Sequence, residues 1–207
     1  MAWGSGDWLT RILAVSDIHG SRSGSLAVRD FINEYSPDLL IVCGDITHFG
    51  PASWARDFFN SIHIPVMAVN GNCDTNDVIA LLGKDTDRNL MNRHRQFQKL
   101  EIVGLQHPLD DSFEFPEKID ILVSHVPPKG CNDFIRAGHI GDMWLNQVIE
   151  ERKPRLLISG HVHESRGICT LGRTICLNPG PAKEGFGAII DIGEDVTPKL
   201  VETTAKL

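Results

Sequence analysis

Short apolar runs alternate with amphipathic segments through the first part of this chain, and this alternation restricts the possible folds more than any other feature. Runs of four to eight β-branched and aliphatic residues predict strands, and apolar residues at helical spacing predict helices. The expected strands are Arg11–Ser16, Leu39–Cys43 and Pro65–Val69, and the expected helices are Ser25–Tyr35, Ala52–Ile62 and Asp77–Leu82. Such uniformly apolar strands are typical of a sheet that helices and other layers cover on both faces.

The second half of the chain predicts more strands and fewer helices. One helix is expected over Gly141–Glu151, ending before Pro154. The expected strands are Phe97–Gly104, Ile119–Ser124, Leu156–Ser159, Gly167–Thr170, Thr174–Leu177, Gly187–Ile192 and Leu200–Glu202. We interpret them as a mostly antiparallel meander, which two sheets packed face to face with outer helices would accommodate. No repeat or long linker divides the sequence, so residues 1–207 are predicted to form one domain.

Composition excludes several classes of protein. Hydrophobic residues make up 42% and charged residues 23%, as in ordinary globular chains rather than disordered ones. No apolar run approaches the roughly 20 residues of a membrane span. Residues 1–10 lack the basic and apolar regions of a secretory signal, and we expect a cytoplasmic protein with no membrane association. A net charge of −7 disfavours binding to long nucleic acids.

The five cysteines form no Cys-x-x-Cys pair, which favours reduced thiols over a disulfide framework or a thiolate zinc site. One alternative is a Cys169–Cys176 bridge, because a hairpin turn at Gly172-Arg173 would place these residues opposite each other.

Polar side chains follow five of the predicted strands. Any one of them has an ordinary explanation as a helix cap or a turn residue, but together they indicate a shared crevice at the carboxyl ends of the strands. Gly44 and Gly71 directly precede two of them, where the backbone must turn sharply. The seven residues are Asp17, His19, Asp45, Asn72, His125, His161 and His163.

The donor types and their spacing predict a metal site. Asp17 with His19, and His161 with His163, are i,i+2 pairs whose side chains project to one side of an extended segment. Carboxylate, amide and imidazole donors suit Mn, Fe, Co, Ni or Zn rather than calcium. Seven donors fit two divalent ions that share a carboxylate. Two such ions, two aspartates and a bridging hydroxide leave a net charge of about +1, which suits a phosphoryl group.

These motifs resemble the calcineurin-like metallophosphoesterases, and the later segments are similar to that family's small prokaryotic phosphodiesterase-like branch. The resemblance implies a four-layer α/β/β/α sandwich of two mixed sheets with flanking helices. It also implies one ion on Asp17, His19, Asp45 and His163, and a second on Asp45, Asn72, His125 and His161. Asp45 and the bridging hydroxide it holds would be the catalytic centre, with manganese as the first expectation among the possible metals. The motifs are Asp17-x-His19, Gly44-Asp45, Gly71-Asn72-Cys73-Asp74, Ser124-His125 and Gly160-His161-x-His163.

One position departs from the family pattern. Most members carry His after the metal-binding Asn, whereas this chain has Cys73. A thiol beside two cations would tend toward thiolate, which is a poor acid, so substrates with good leaving groups should suffer least. Cys73, His48 and His139 are therefore the candidate substrate-binding residues, the last because it precedes a predicted helix. Asp74 is expected to stabilise a turn, and His63, His94 and His107 receive no role.

The leading hypothesis is a dinuclear metal-dependent phosphoesterase that acts on a small phosphorylated substrate, with diesters favoured. The alternatives are a nuclease for short oligonucleotides or cyclic nucleotides, and a non-catalytic scaffold with the same fold. The sequence leaves homo-oligomerisation open.

Overall fold

A computed structural model describes residues 8–203, so most of the N-terminal segment used above lies outside the described residues. It contains two large sheets. The first follows the spatial order β13 (Val196–Glu202), β12 (Phe186–Ile192), β1 (Thr10–Val15), β2 (Leu39–Cys43) and β3 (Val66–Val69). Strands β1, β2 and β3 are parallel, as the front-half alternation predicts, whereas β12 and β13 add antiparallel strands at one edge.

The second sheet follows the order β10 (Gly167–Leu171), β11 (Thr174–Asn178), β9 (Leu156–Ile158), β6 (Ile121–Val123), β5 (Leu100–Gly104) and β4 (Arg93–Phe97). Its central strands β11, β9, β6 and β5 are all parallel, and only the two outer pairs are antiparallel. The predicted antiparallel meander is therefore wrong for the middle of this sheet. The single predicted strand Phe97–Gly104 is also wrong in part, because the chain turns at Gln98 (φ +53°) and pairs β4 with β5.

Four α-helices in the described part of the chain cover the outer faces of the two sheets. They are α1 (Arg22–Tyr35), α2 (Ala52–Asn60), α3 (Asn76–Lys84) and α4 (Met143–Arg152). The N-cap of helix α1 is Ser21, whose side chain accepts a hydrogen bond from Gly24 N, and its C-cap is Ser36 in the left-handed conformation. A small hairpin, β7 (Phe134–Ile135) with β8 (Gly138–His139), precedes α4.

Alternate side chains of β1 separate the core into layers. Leu13 and Val15 pack with helices α1, α2 and α3, whereas Ile12 and Ala14 pack against the second sheet. A third cluster joins the other face of the second sheet to α4 through residues such as Leu145. The predicted four-layer α/β/β/α sandwich is thus confirmed. Within residues 8–203, none of the helices has the length and apolar character needed to cross a membrane.

The cysteine prediction needs correction. Cys169 and Cys176 are opposite each other in register, as expected, but the disulfide joins Cys169 to Cys131. Cys131 lies in the loop after β6, and its Cα is 6.1 Å from that of Cys169, which is within bonding range. Cys176 instead packs into the core beneath α4 as a buried free thiol.

Candidate metal centre

The loops that follow β1, β2, β3, β6 and β9 converge at one edge of the sandwich. Each begins at the carboxyl end of a parallel strand, where such loops meet in one crevice. The structure brings together the seven side chains that the strand-end pattern selects, namely Asp17, His19, Asp45, Asn72, His125, His161 and His163.

Four of these side chains form a first group. Asp17 Oδ1 lies 3.2 Å from His163 Nε2 and 3.7 Å from His19 Nε2. The two imidazole Nε2 atoms are 3.4 Å apart, and Asp45 Oδ2 lies 3.8 Å from His19 Nε2. Two carboxylate oxygens and two ring nitrogens therefore face one another at separations that a single coordinated ion would span.

The second group is centred on His125. Its Nε2 atom lies 3.0 Å from Asn72 Oδ1 and 3.5 Å from Asp45 Oδ1, and its ring centroid is 5.0 Å from that of His161. Asp45 therefore presents one carboxylate oxygen to each group. This arrangement places a single carboxylate between two sets of donors.

Hydrogen bonds from neighbouring backbone orient these donors. Cys73 N donates to Asp45 Oδ1 at 2.8 Å, and His161 N donates to Asp17 Oδ2 at 3.1 Å. His125 Nδ1 lies 2.8 Å from the carbonyl oxygen of Cys43. With the proton on Nδ1, the Nε2 lone pair of His125 faces the centre, which is the tautomer of a metal-binding histidine.

The backbone around the centre is strained. Asp17, His19, Asp45 and His161 all adopt the left-handed conformation, with φ values of +54°, +54°, +49° and +68°. Non-glycine residues seldom occupy this region, since each costs about 1–3 kcal/mol and persists only where the surrounding structure enforces it. Such strain concentrates at functional sites, so its presence at four of the seven positions supports a functional role for this edge.

Glycine is required where the loops approach most closely. A Cβ atom at Gly71 would collide with the Asp45 carboxylate and backbone nitrogen. Gly44 has φ +88°, and a Cβ there would lie 2.6 Å from His125 Nδ1. Both positions precede predicted donors, and both allow the loops to touch.

Burial and charge act against each other on the ionisable groups. Burial disfavours the charged form of Asp17, but the imidazoles of His163 and His125 outweigh it, and the pKa of Asp17 falls to about 2. The Asp17 carboxylate raises the pKa of His163. Burial lowers the pKa of His19 and of His161, which favours the neutral imidazole that binds metals.

The donors fit divalent cations. Among the described residues, Asp17 Oδ1 and His19 Nδ1 are buried without a hydrogen bond of acceptable geometry. An unpaired carboxylate oxygen in a buried site is costly unless a cation faces it. Two overlapping sets of potential donors, Asp17 with His19 and His163 and Asp17 with Asp45 and His125, each hold their ligand atoms within 4.8 Å of one another.

The predicted substrate residues separate into two groups. His48 and Cys73 lie beside the centre, with their potential ligand atoms and that of His19 within 4.8 Å of one another. Burial, together with Asp45 and Asp74, raises the pKa of the Cys73 thiol to about 12. His139, in contrast, lies on β8 with its Nδ1 atom 2.6 Å from Asp133 Oδ1, and no described contact joins it to the seven donors.

Two neighbours of the centre received no role from the sequence. The ring of His107 lies 5.9 Å from that of His125, and its backbone exchanges two hydrogen bonds with the Asn70 side chain. His107 follows β5 at the same edge of the sheet, so the strand-end rule could have selected it. The positive charge of Lys183 acts on His19 and His163 at the centre, where it opposes protonation of both rings. No motif in the sequence indicates this lysine.

Comparison with known proteins agrees with this fold and site. The sequence profile of the calcineurin-like phosphoesterases matches residues 10–165, so the chain belongs to the calcineurin-like phosphoesterase family. It is 31% identical over 197 residues to the uncharacterized protein MJ1162 of Methanocaldococcus jannaschii, covering 83% of this chain and 88% of that protein. The family acts on phosphoesters with divalent metal ions, and the predicted membership is confirmed.

Solved structures share the architecture at low sequence identity. The TT1561 protein of Thermus thermophilus superposes with a TM-score of 0.74 at 14% identity, covering 94% of this chain and 99% of that one. A novel archaeal phosphodiesterase superposes with a TM-score of 0.62 at 16% identity, covering 93% of this chain and 99% of that one. At these identities the likeness shows the fold alone.

Proposed function

We propose that this protein is a dinuclear metal-dependent phosphodiesterase. The observation that carries the proposal is the position of Asp45, whose Oδ2 faces His19 at 3.8 Å and whose Oδ1 faces His125 at 3.5 Å. One carboxylate between two groups of nitrogen and oxygen donors is the arrangement that two ions share. Asp17, His19 and His163 would complete one site, and Asn72, His125 and His161 the other.

Two bound cations would polarise a phosphoryl oxygen and lower the pKa of a coordinated water. The chain itself holds the donors rigidly and contributes two buried carboxylates, Asp17 and Asp45. Two aspartates do not neutralise two divalent ions, so the loaded centre would attract an anion despite the acidic surface of the protein. We propose Mn²⁺ as the first metal to test.

The residues present favour a substrate with a good leaving group. Cys73 occupies the position where most of the family has histidine, and before any ion is bound, burial and the nearby Asp45 carboxylate raise the pKa of its thiol to about 12, which makes it a very weak acid. His48 lies next to it, is exposed to solvent and has its ring centroid 5.4 Å from that of His19. We therefore propose that any proton delivered to the leaving group comes from His48 or from water rather than from Cys73.

The experiment is metal removal followed by restoration. The protein is stripped with chelator, reloaded separately with Mn²⁺, Fe²⁺, Co²⁺, Ni²⁺ or Zn²⁺, and assayed on an activated aryl phosphodiester and its monoester. Asp45→Asn and His163→Ala should lose more activity than the roughly 10–100-fold caused by outer-shell changes. His94→Ala is the matched control, because this exposed imidazole on β4 contacts Glu101 away from the centre. Absence of turnover with every ion would overturn the proposal.

The same reloaded preparations test the scaffold alternative. All seven donors are present and close together, which favours a centre that binds metal ions. A preparation with two bound ions per chain, no hydrolysis and specific capture of a partner protein would favour the scaffold. Comparison of a cyclic dinucleotide with a long single strand would separate a small-molecule diesterase from a nuclease.

A further inference from the structure

An exposed aromatic ring stands beside the candidate centre. Phe49 is 67% exposed, although burial of a phenylalanine side chain ordinarily stabilises a fold. It also has φ +59°, a conformation that a bulky residue seldom adopts. Neither its exposure nor its backbone conformation is explained by packing of the core.

Hydrogen bonds hold Phe49 in this position. Its backbone nitrogen donates to the carbonyl oxygen of Cys73 at 2.8 Å, which fixes it to the loop that carries Asn72. The next residue, Gly50, donates its N–H to Thr47 Oγ1 at 3.2 Å. Thr47 is itself bonded to the buried carboxylate of Asp74. The exposed ring is therefore built on the same rigid loops as the metal donors.

A chain of ring contacts leads from Phe49 to the centre. The Phe49 and His48 centroids are 4.8 Å apart, and those of His48 and His19 are 5.4 Å apart. Two ring contacts thus separate the exposed Phe49 residue from a predicted metal donor. The ester arm of a phosphoryl group bound at the centre would have to extend past His19 and His48 to reach the Phe49 ring.

We infer that Phe49, supported by His48, is a stacking platform for a planar aromatic arm of the substrate. The proposal rests on the proposed function and narrows it to phosphodiesters that carry a nucleobase or an aryl ring. Stacking of a base on an aromatic side chain tolerates different bases, because every base has a π face. A solvent-exposed ring next to a site for an anion fits this chemistry better than it fits a protein interface, which needs a larger contiguous patch.

The test measures binding of product-like monoesters rather than turnover. Mn²⁺-loaded wild type, Phe49→Ala and Phe49→Trp are titrated calorimetrically with methyl phosphate, phenyl phosphate and adenosine monophosphate. Phe134→Ala is the matched control, because Phe134 is 56% exposed on the β7–β8 hairpin and packs on His139 instead. Metal content and the thermal unfolding midpoint of each variant are measured first, so that a folding defect is recognised.

Phe49→Ala should weaken binding of the two aromatic phosphates about tenfold, which corresponds to about 1.4 kcal/mol, and leave methyl phosphate unchanged. Phe49→Trp should retain or improve the aromatic preference, and Phe134→Ala should change nothing. Loss for adenosine monophosphate alone would identify the arm as a nucleotide, and equal loss for phenyl phosphate would indicate any planar arm. Wild-type binding of all three esters with equal affinity, or equal loss of all three in Phe49→Ala, would overturn the platform alone. Failure of the wild type to bind any of them would overturn the proposed function as well.

Discussion

Asp74 connects the loops that carry Asp45 and Asn72, and replacing it with asparagine provides a quantitative test of how this centre is held. The carboxylate is buried and accepts four hydrogen bonds. Its Oδ1 atom accepts from Thr47 N at 2.8 Å and from Thr47 Oγ1 at 3.1 Å. Its Oδ2 atom accepts from Ile46 N at 3.2 Å and from Gly71 N at 3.0 Å.

The geometry sets the size of the effect of Asp74→Asn. If the amide nitrogen of the new side chain replaced Oδ2, its N–H groups would face two backbone N–H donors, those of Ile46 and Gly71. If it replaced Oδ1, it would face only one backbone donor, Thr47 N, because the Thr47 hydroxyl is able to accept a hydrogen bond from the amide. The second orientation is therefore expected. It leaves one buried N–H unpaired, at about 1–3 kcal/mol, and changes two charge-assisted bonds into weaker neutral ones. Burial raises the pKa of Asp74, so removing the charge returns part of this loss. We expect a net destabilisation of about 2–3 kcal/mol.

The assay is urea unfolding of the metal-free protein, which separates the loop effect from the contribution of bound ions. Asp110→Asn is the control, because that carboxylate accepts from Ser112 in an exposed turn and the same substitution there should cost little. The variant should also bind metal more weakly, since Ile46, Thr47 and Gly71 flank the donors Asp45 and Asn72.

Two results would contradict this account. If Asp74→Asn changed the free energy of unfolding by less than about 0.5 kcal/mol, the four hydrogen bonds would not determine the positions of the loops. If stability fell as expected but metal content and affinity stayed at wild-type values, the connection would stabilise the fold without positioning the donors.

Three further predictions concern other parts of the chain. Gly71→Ala should abolish metal binding, because the added Cβ would displace the Asp45 carboxylate, and metal analysis would show the loss. The control Gly83→Ala lies in α3, where the added Cβ faces open space, and it should stabilise the protein by up to about 1 kcal/mol in thermal unfolding. Cys131→Ser, or treatment of the wild type with reductant, should lower the free energy of unfolding in guanidinium by about 3–4 kcal/mol, because the disulfide closes a loop with a sequence separation of 38. Equal unfolding midpoints with and without reductant would contradict the pairing. Arg11 donates two hydrogen bonds to Asp191 and lowers the pKa of that carboxyl in the folded protein. The pair therefore stabilises the fold at pH values above the pKa of Asp191 in the unfolded chain, and this stabilisation is lost as the pH falls through the lower pKa of Asp191 in the folded protein. The wild-type advantage over Asp191→Asn in urea unfolding should thus shrink below about pH 4, and an advantage that grew in acid would contradict it.

The first half of the fold was predictable because its strands and helices alternate in period and composition. Leu39–Cys43 has the predicted bounds, and the helix expected over Ala52–Ile62 covers Ala52–Asn60. The second half failed on strand direction. Three-residue strands such as β6 and β9 carry no periodicity that distinguishes parallel from antiparallel pairing. The predicted helix between them was nevertheless informative, since a strand, helix, strand connection favours parallel pairing.

The candidate site was more predictable than the topology. Convergence of the strand-end residues depends only on which end of each strand they follow. The predicted site therefore stays correct even where the predicted direction of a strand elsewhere in the sheet is wrong. His107 was missed because it lies three residues beyond the end of β5, with Leu105 and Gln106 between. Lys183 could not be found from local sequence. Its segment approaches β1 only through tertiary contacts such as the hydrogen bond from Ala182 N to Ser16 O.

The supporting bonds of the centre do not depend on metal ions. Asp74 joins the loops after β2 and β3, the backbone of Cys73 fixes Asp45, and that of His161 fixes Asp17. These bonds keep several donor residues in a left-handed conformation that an isolated loop would leave. The cores on both faces of each sheet provide the stability against which that strain is maintained. It follows that substitutions divide into two kinds with different signatures. Removal of a donor such as His161 should lower metal affinity with little change in the metal-free stability. Removal of a supporting group such as Asp74 should lower both.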